Sequence, residues 1–228
     1  MADQPVTLTV QSVRDETAQA RLITLNGGKV WSFMPGQVAV LGIAGVGESY
    51  FAVASAPEDK GGMEFLVKKG GGAAGALFEV KKGSQVQAKG PVGKGFPIDQ
   101  YKGRDLLIAC VGSAIAPMRS VLRSIGYRRK DFGKIVMVYG ARYPEDFYFA
   151  REVKDWQKSK IDVIMTVSRP ESKEWKGKTG HVQAHFAAAL KGLSKPVAPI
   201  CGMKAMMEES KAELARLGIP ANEILTNY

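Results

Sequence analysis

The sequence predicts a two-part chain, an antiparallel β-barrel over residues 1–100 followed by an α/β unit with a doubly wound parallel sheet over residues 101–228. Three observations carry this reading. Residues 6–89 hold short β-prone runs separated by Gly, Pro or charged residues. The segment 90–102, GPVGKGFPIDQYK, is rich in Gly and Pro and separates two composition regimes. Beyond it, apolar strand-like runs alternate with stretches of helical periodicity.

In the first unit, VTLTVQSV and ARLITL alternate apolar and polar residues, and VAVLGIA, SYFAVASA and MEFLVKK are short β-prone runs. Pro35-Gly36 marks a turn before the third strand. Six or so strands over this length suit a closed antiparallel barrel. One helix interrupts them, over 73–80, between Gly70-Gly71-Gly72 and Lys81-Lys82-Gly83. Such a glycine-rich entrance offers backbone N–H groups to an anion, or serves as a flexible hairpin tip.

The second unit is organised around 106–122, LLIACVGSAIAPMRSVL. Leu106–Val111 reads as a strand buried on both faces. The small turn Gly112-Ser113-Ala114 lets a ligand approach the backbone, and Pro117 opens a helix over 117–127 where its missing N–H is no loss. Strand, turn and helix N-terminus make an anion site whose usual occupant is a dinucleotide pyrophosphate. Further strand–helix pairs follow: 135–139 with 145–158, 161–167 with 182–190, and 199–201 with 204–217, then a last strand at 223–226. Ligands of such sheets bind at the carboxyl ends of the strands. Gly112-Ser113, Tyr139–Arg142, Ser168-Arg169 and Cys201-Gly202-Met203 then line one crevice.

Composition narrows the function. The 228 residues are 45% hydrophobic and 24% charged, which suits an ordinary globular protein. No apolar run approaches the roughly 20 residues of a membrane span. The start, MADQPVTLTV, has neither a signal nor a transit pattern, so the expected setting is cytoplasmic unless a targeting segment has been removed. Residues 1–103 carry 11 Lys/Arg and 9 Asp/Glu against 21 and 13 in the remainder, placing +2 and +8 of the net +10. This field favours an anionic ligand or an acidic protein. Nucleic acid is disfavoured, because the basic residues are not interleaved with exposed-looking aromatic ones. Cys110 and Cys201 read as buried strand-end thiols without zinc or cluster spacing. His181 and His185 stand four apart but lack a third ligand, so no metal site is expected. No Ser/His/Asp order or carboxylate pair argues for hydrolysis.

A barrel followed by a nucleotide-binding sheet with these strand ends resembles the ferredoxin–NADP reductase superfamily. The pattern is most similar to the plant and algal FAD/NAD(P)-binding oxidoreductase-like proteins of the kiwi-fruit-protein type. Those share a SYFA-x-AS run, a VGxGF-x-ID stretch and a CGxKxM…E end near an aromatic terminus, here Ser49–Ser55, Val92–Asp99 and Cys201–Tyr228. The resemblance covers nearly the whole chain. It implies a chloroplast-stromal, FAD-dependent NAD(P)H oxidoreductase that exchanges electrons with an unidentified acceptor.

The same resemblance implies roles for individual residues. Ser49–Ser55 runs where the superfamily has Arg-x-Tyr-Ser, with Ser49 in place of the arginine, Phe51 of the tyrosine and Ala52 of the serine. Phe51 is expected to stack on the flavin, and Val53, Ala54 and Ser55 to offer main-chain groups to its edge. Gly71, Gly72, Ala73 and Ala74 resemble the second flavin-phosphate segment without its hydroxyl residue. Gly112, Ser113, Ala114 and Pro117 resemble the G-[TS]-G-[IV]-x-P turn, with Ala114 replacing the second glycine. Ser168 and Arg169 would hold the 2′-phosphate of NADP, with NAD as the other candidate, since the planar guanidinium fork suits a phosphate, and Arg142 is expected among the cofactor-binding residues. Cys201, Gly202 and Met203 would flank the nicotinamide, and Tyr228 would cover the flavin face. Two other readings stand beside this one: a non-catalytic nucleotide-binding module that has lost tight flavin binding, and a basic subunit docking an acidic electron-carrier protein.

Overall fold

The computed structural model describes residues 4–26, 31–170 and 175–227. In the first unit β1 (Val6–Thr17), β2 (Ala20–Leu25), β3 (Val38–Ile43), β4 (Gly47–Ala52), β5 (Met63–Lys68) and β6 (Gln85–Val92) form one antiparallel sheet in the order β4-β3-β6-β1-β2-β5. β1 is long enough to serve two partners: Val6–Thr9 pair with β6, and Val10–Thr17 pair with β2 across two register shifts. Such irregularities bend a strand, as curling a sheet requires. The ends of the sheet meet at a bridge between Val53 and Phe65, with Ala54 N–H donating to the Glu64 carbonyl at 2.7 Å. The helix α1 (Gly72–Phe78) buries Leu77 and Phe78.

In the second unit β7 (Leu106–Val111), β8 (Ile135–Ala141), β9 (Ile161–Val167), β10 (Lys178–Thr179), β11 (Ala198–Cys201) and β12 (Ile224–Leu225) form a parallel sheet in the order β10-β9-β8-β7-β11-β12. The helices are α2 (Ile115–Tyr127), α3 (Val153–Lys158), α4 (Phe186–Ala189) and α5 (Lys204–Arg216). The strand order reverses between β7 and β11. In doubly wound sheets a crevice opens at such a point, beyond the carboxyl ends of the strands.

Two expected helices are shorter than their periodicity suggests. The stretch 145–158 breaks into 3-10 turns at Pro144–Asp146 and Ala150–Glu152 before α3 begins. The break is Phe149, which holds a left-handed φ of 55°. A bulky residue there costs about 1–3 kcal/mol. The Phe149 N–H donates to Glu16 of β1 at 3.0 Å, and its ring lies 4.6 Å from the Arg119 guanidinium. In 182–190 a 3-10 turn at Val182–His185 precedes α4. β10 has no expected counterpart; it is two residues long and exposed, too short for a periodic signal.

One apolar cluster runs through both units, from Ala20, Leu22 and Leu66 of the barrel through Ile115, Met118 and Val121 of α2 to Tyr139 and Trp156. The barrel interior and the opposite face of the parallel sheet hold their own clusters.

Helix α2 is tied to the barrel by polar contacts as well. Arg119 is 2% exposed. It donates to the Ala54 carbonyl at 2.9 Å and to the Glu64 carboxylate at 2.6 Å, and forks onto Glu152 at 2.8–2.9 Å. Burial alone would depress its pKa, but the Glu152 and Glu64 carboxylates raise it, so the guanidinium stays charged. Ser120 donates to the Ser55 carbonyl at 2.6 Å, Ser124 to Glu58 at 2.7 Å, and Arg123 forks onto Asp59 at 2.8 Å. Arg119→Met should lower unfolding free energy by about 3–5 kcal/mol in a denaturant titration, because two carboxylates and a buried carbonyl lose their partner at once. Asp59 shows a second dependence. Burial would raise its pKa, yet the bonds from Arg123, Ala56 and Tyr127 hold it below the ordinary carboxylate value. The stability this gives is present above the unfolded-state value and is lost as pH falls through the depressed one. Asp59→Asn should therefore flatten the acid limb of the stability curve below about pH 4.

Candidate functional site

The site is a cavity of about 490 Å³ on the seam between the two units. Its barrel wall is Ser49, Tyr50, Phe51 and Ala52 of β4, Leu66 and Lys68 of β5, and Ala74 of α1. Its other wall is Val111 at the end of β7 with Ser113, Ala114, Ala116 and Pro117 beyond it, Cys201 at the end of β11 with Gly202 and Met203 beyond it, and Asn227 near the end of the chain. This is the switch point of the parallel sheet, facing the edge where the barrel closes. Alternation along β5 explains the barrel wall: Phe65 and Val67 pack into the barrel interior while Leu66 faces the second unit.

Of the expected flavin residues, Phe51, Ala52 and Ala74 line the cavity. Phe51 is partly buried against the barrel interior, whereas Tyr50 beside it is 71% exposed. Val53, Ala54 and Ser55 lie deeper, at 0–1% exposure, and do not line it. Several of their polar groups are already engaged. Val53 N–H donates to the Gln37 carbonyl, Ala54 uses both its N–H and its carbonyl, the Ser55 carbonyl accepts from Ser120, and its hydroxyl accepts from Glu64 N–H. Protein partners therefore occupy some of the main-chain groups in this segment. Around Gly71 and Gly72 a Cβ would meet nothing, so space lies open there, and Ala73 is buried.

On the nucleotide side, Ser113, Ala114 and Pro117 line the cavity. Gly112 turns with φ +53° into open space, a backbone conformation that favours glycine. Its carbonyl accepts from Ile115 N–H, and the Tyr139 hydroxyl reaches it at 3.4 Å. Packing around Gly202 is tight: a Cβ would come within 2.6 Å of the Met206 sulfur and 3.0 Å of Val111. Cys201 sits beside Cys110 in the β11–β7 register, and both thiols are free. Burial pushes the Cys201 thiol up to about 12. Met203 is 70% exposed at the cavity lip, just before α5.

Ser168, Arg169 and Arg142 stand apart from the cavity, at the neighbouring ends of β8 and β9. Ser168 N–H donates to the Ala141 carbonyl at 3.0 Å, and Arg169 N–H to the Arg142 carbonyl at 2.9 Å. All three side chains are exposed. Tyr228 lies outside the described residues. His185 bonds Thr166 at 3.0 Å and the Thr179 carbonyl at 3.2 Å. Among the described residues no three His, Cys, Asp or Glu side chains converge as a metal site.

The sequence reading did not single out Tyr50, Leu66, Lys68, Val111, Ala116 or Asn227. Alternation along β4 and β5 could have placed Tyr50 and Lys68 on the outward face. Nothing local marks Asn227. Its amide donates to the Gly36 carbonyl at 3.0 Å, its side-chain oxygen lies 3.6 Å from the Cys201 sulfur, and its main-chain carbonyl accepts from Lys94 N–H at 3.1 Å.

Comparison with known proteins agrees with this geometry. Residues 7–96 match the oxidoreductase FAD-binding domain, and residues 107–212 match the oxidoreductase NAD-binding domain. The chain is 33% identical over 201 residues to sulfhydrogenase 1 subunit gamma of Pyrococcus furiosus, covering 86% of this chain and 68% of that protein. It is 29% identical over 192 residues to the fruit protein pKIWI502 of Actinidia deliciosa, covering 78% of this chain and 58% of that one. The fold is that of a ferredoxin NADP+ reductase from Neisseria gonorrhoeae solved with bound FAD and NADP, with a TM-score of 0.82 at 18% identity over 97% of both chains. Among the described residues no helix is long and apolar enough to cross a membrane. With both domain types in order and the switch-point cavity between them, the chain belongs to the FAD- and NAD-binding oxidoreductases, and its fold is that of a ferredoxin reductase.

Proposed function

We propose that the chain exchanges reducing equivalents between NADPH and FAD and passes electrons to or from a separate acceptor protein, with the unit boundary at 100/101. The observation that supports this most is the single cavity lined at once by the barrel edge and the switch point, since the two ring systems must meet there. When bound, the cofactors supply hydride transfer between nicotinamide and isoalloxazine. The protein binds, orients and excludes water. Leu66, Ala52, Ala114 and Ala116 give the cavity apolar walls. Cys201 stays protonated beside the proposed nicotinamide position, so it packs against the ring without exchanging protons. Asn227, anchored on Gly36 and Lys94, braces the seam from the barrel side.

Arg142 and Arg169 support NADP over NAD. They are exposed on adjacent strand ends, and neither pairs with a carboxylate among the described residues. A net +8 over residues 104–228 supports an acidic electron carrier as the acceptor. Of the relatives named above, the Actinidia protein alone supports a chloroplast setting.

An absorbance spectrum of the purified chain tests the core of the reading. A flavin band that bleaches on adding NADPH is expected. Binding of NADP without FAD would instead favour the nucleotide-binding module. Arg169→Ala should raise the KM for NADPH about tenfold or more, the worth of a charged hydrogen bond, and leave that for NADH nearly unchanged. Alkylation of Cys201 in the native protein should stay slow up to about pH 10, because the reactive thiolate forms only near its raised pKa.

A further inference from the structure

We infer that the amino ends of β7, β11 and β12 form a second ligand site, one that takes a small amphipathic carboxylate. This end of the parallel sheet lies a strand's length, about 20 Å, from the switch-point cavity. A cavity of about 700 Å³ opens there, within the roughly 300–1,000 Å³ usual for small-molecule sites. Leu190 and Leu193 wall it from the end of α4, Pro196 from just before β11, and Leu217, Ile219 and Pro220 from the stretch after α5. Leu190, Leu193 and Leu217 pack one side onto the outer apolar cluster of the sheet and stay half-exposed on the other. Hydrocarbon laid against them would take apolar surface out of water on both partners.

Three charged residues stand among these walls: Arg104, Lys195 and Glu223. Arg104 is committed within the protein. Its Nε and Nη2 donate to the Lys195 carbonyl at 3.0 and 2.7 Å, and Nη2 meets the Glu223 carboxylate at 3.3 Å. The fork steadies Lys195 at a left-handed φ of 44°, a conformation that residues with side chains rarely hold. The Lys195 side chain is exposed and pairs with no carboxylate among the described residues. Asp105, just before β7, is taken up by the Lys134 and Ser194 N–H groups at 2.7 Å each. The Lys134 ammonium donates to the Gly192 carbonyl at 2.9 Å, next to Leu193 in the chain, and adds positive charge on the same side. Apolar walls with a free cation at the rim match a hydrocarbon body that carries one carboxylate.

The test titrates decanoate and decanol, which share a chain and differ in charge, into the full chain in the presence of FAD and NADP. Decanoate should saturate one site without displacing either dinucleotide. Lys195→Ala should weaken decanoate about fivefold, the upper worth of an exposed ion pair, and leave decanol unchanged. Lys195→Arg should restore the loss, and Leu193→Asn should weaken both probes. Absence of saturable decanoate binding would overturn the inference. So would displacement of FAD or NADP, which would put the probe in the redox cavity, and so would an affinity that ignores both the lysine and the leucine. Equal loss of the two probes on Lys195→Ala would give the lysine a structural role and overturn it as well. The site stands apart from the FAD reading: a chain that binds decanoate but no FAD would keep this inference and lose that one.

Discussion

The constraint on which the structure depends is a guanidinium with no access to water. Arg119 can stay charged at 2% exposure only if its donors meet carboxylates and carbonyls, and those acceptors come from different parts of the chain. Ala54 and Glu64 belong to the barrel, and Glu152 to the loop before α3. Satisfying one side chain therefore fixes the barrel edge, the N-terminal half of α2 and the 144–152 loop relative to one another. The left-handed Phe149 belongs to the same solution, since its ring covers the guanidinium and its N–H reaches Glu16. Once α2 is so placed, the turn that precedes it faces the barrel opening, and the cavity follows.

This frame also explains why the segment after β4 is buried beneath the cavity lining. Val53–Ser55 closes the barrel and receives α2, and each task uses main-chain groups that a bound ring would otherwise find free. The ligand-facing part of the edge is displaced toward its start, at Ser49–Ala52, and across to the end of β5. One continuous stretch serves two ends: Val53–Ser55 hold the molecule together, and Ser49–Ala52 face the cavity.

Much of this was legible in the sequence where the signal is local. The apolar run 106–111, the small turn and the helical spacing after it lie within one stretch, and they occur as read. The antiparallel and parallel halves were legible for the same reason. What escaped depends on distant partners. Arg119 sits in an amphipathic helix and has the look of a surface residue until its acceptors, 33 to 65 positions away, are placed around it. The helix expected over 145–158 fails at Phe149 because a contact with β1, 133 positions away, stabilises a turn that local propensity opposes. Asn227 braces Gly36 across 191 positions, a separation at which no periodicity carries information.

The shared apolar cluster changes what the two units are to each other. Leu22 and Leu66 of the barrel pack in the same cluster as Met118 and Val121 of the helix beyond the boundary. Separating them would bare oily surface on both pieces. A polypeptide built this way is not a pair of interchangeable cassettes: swapping one half for that of a cousin would require rewriting the seam residues in both.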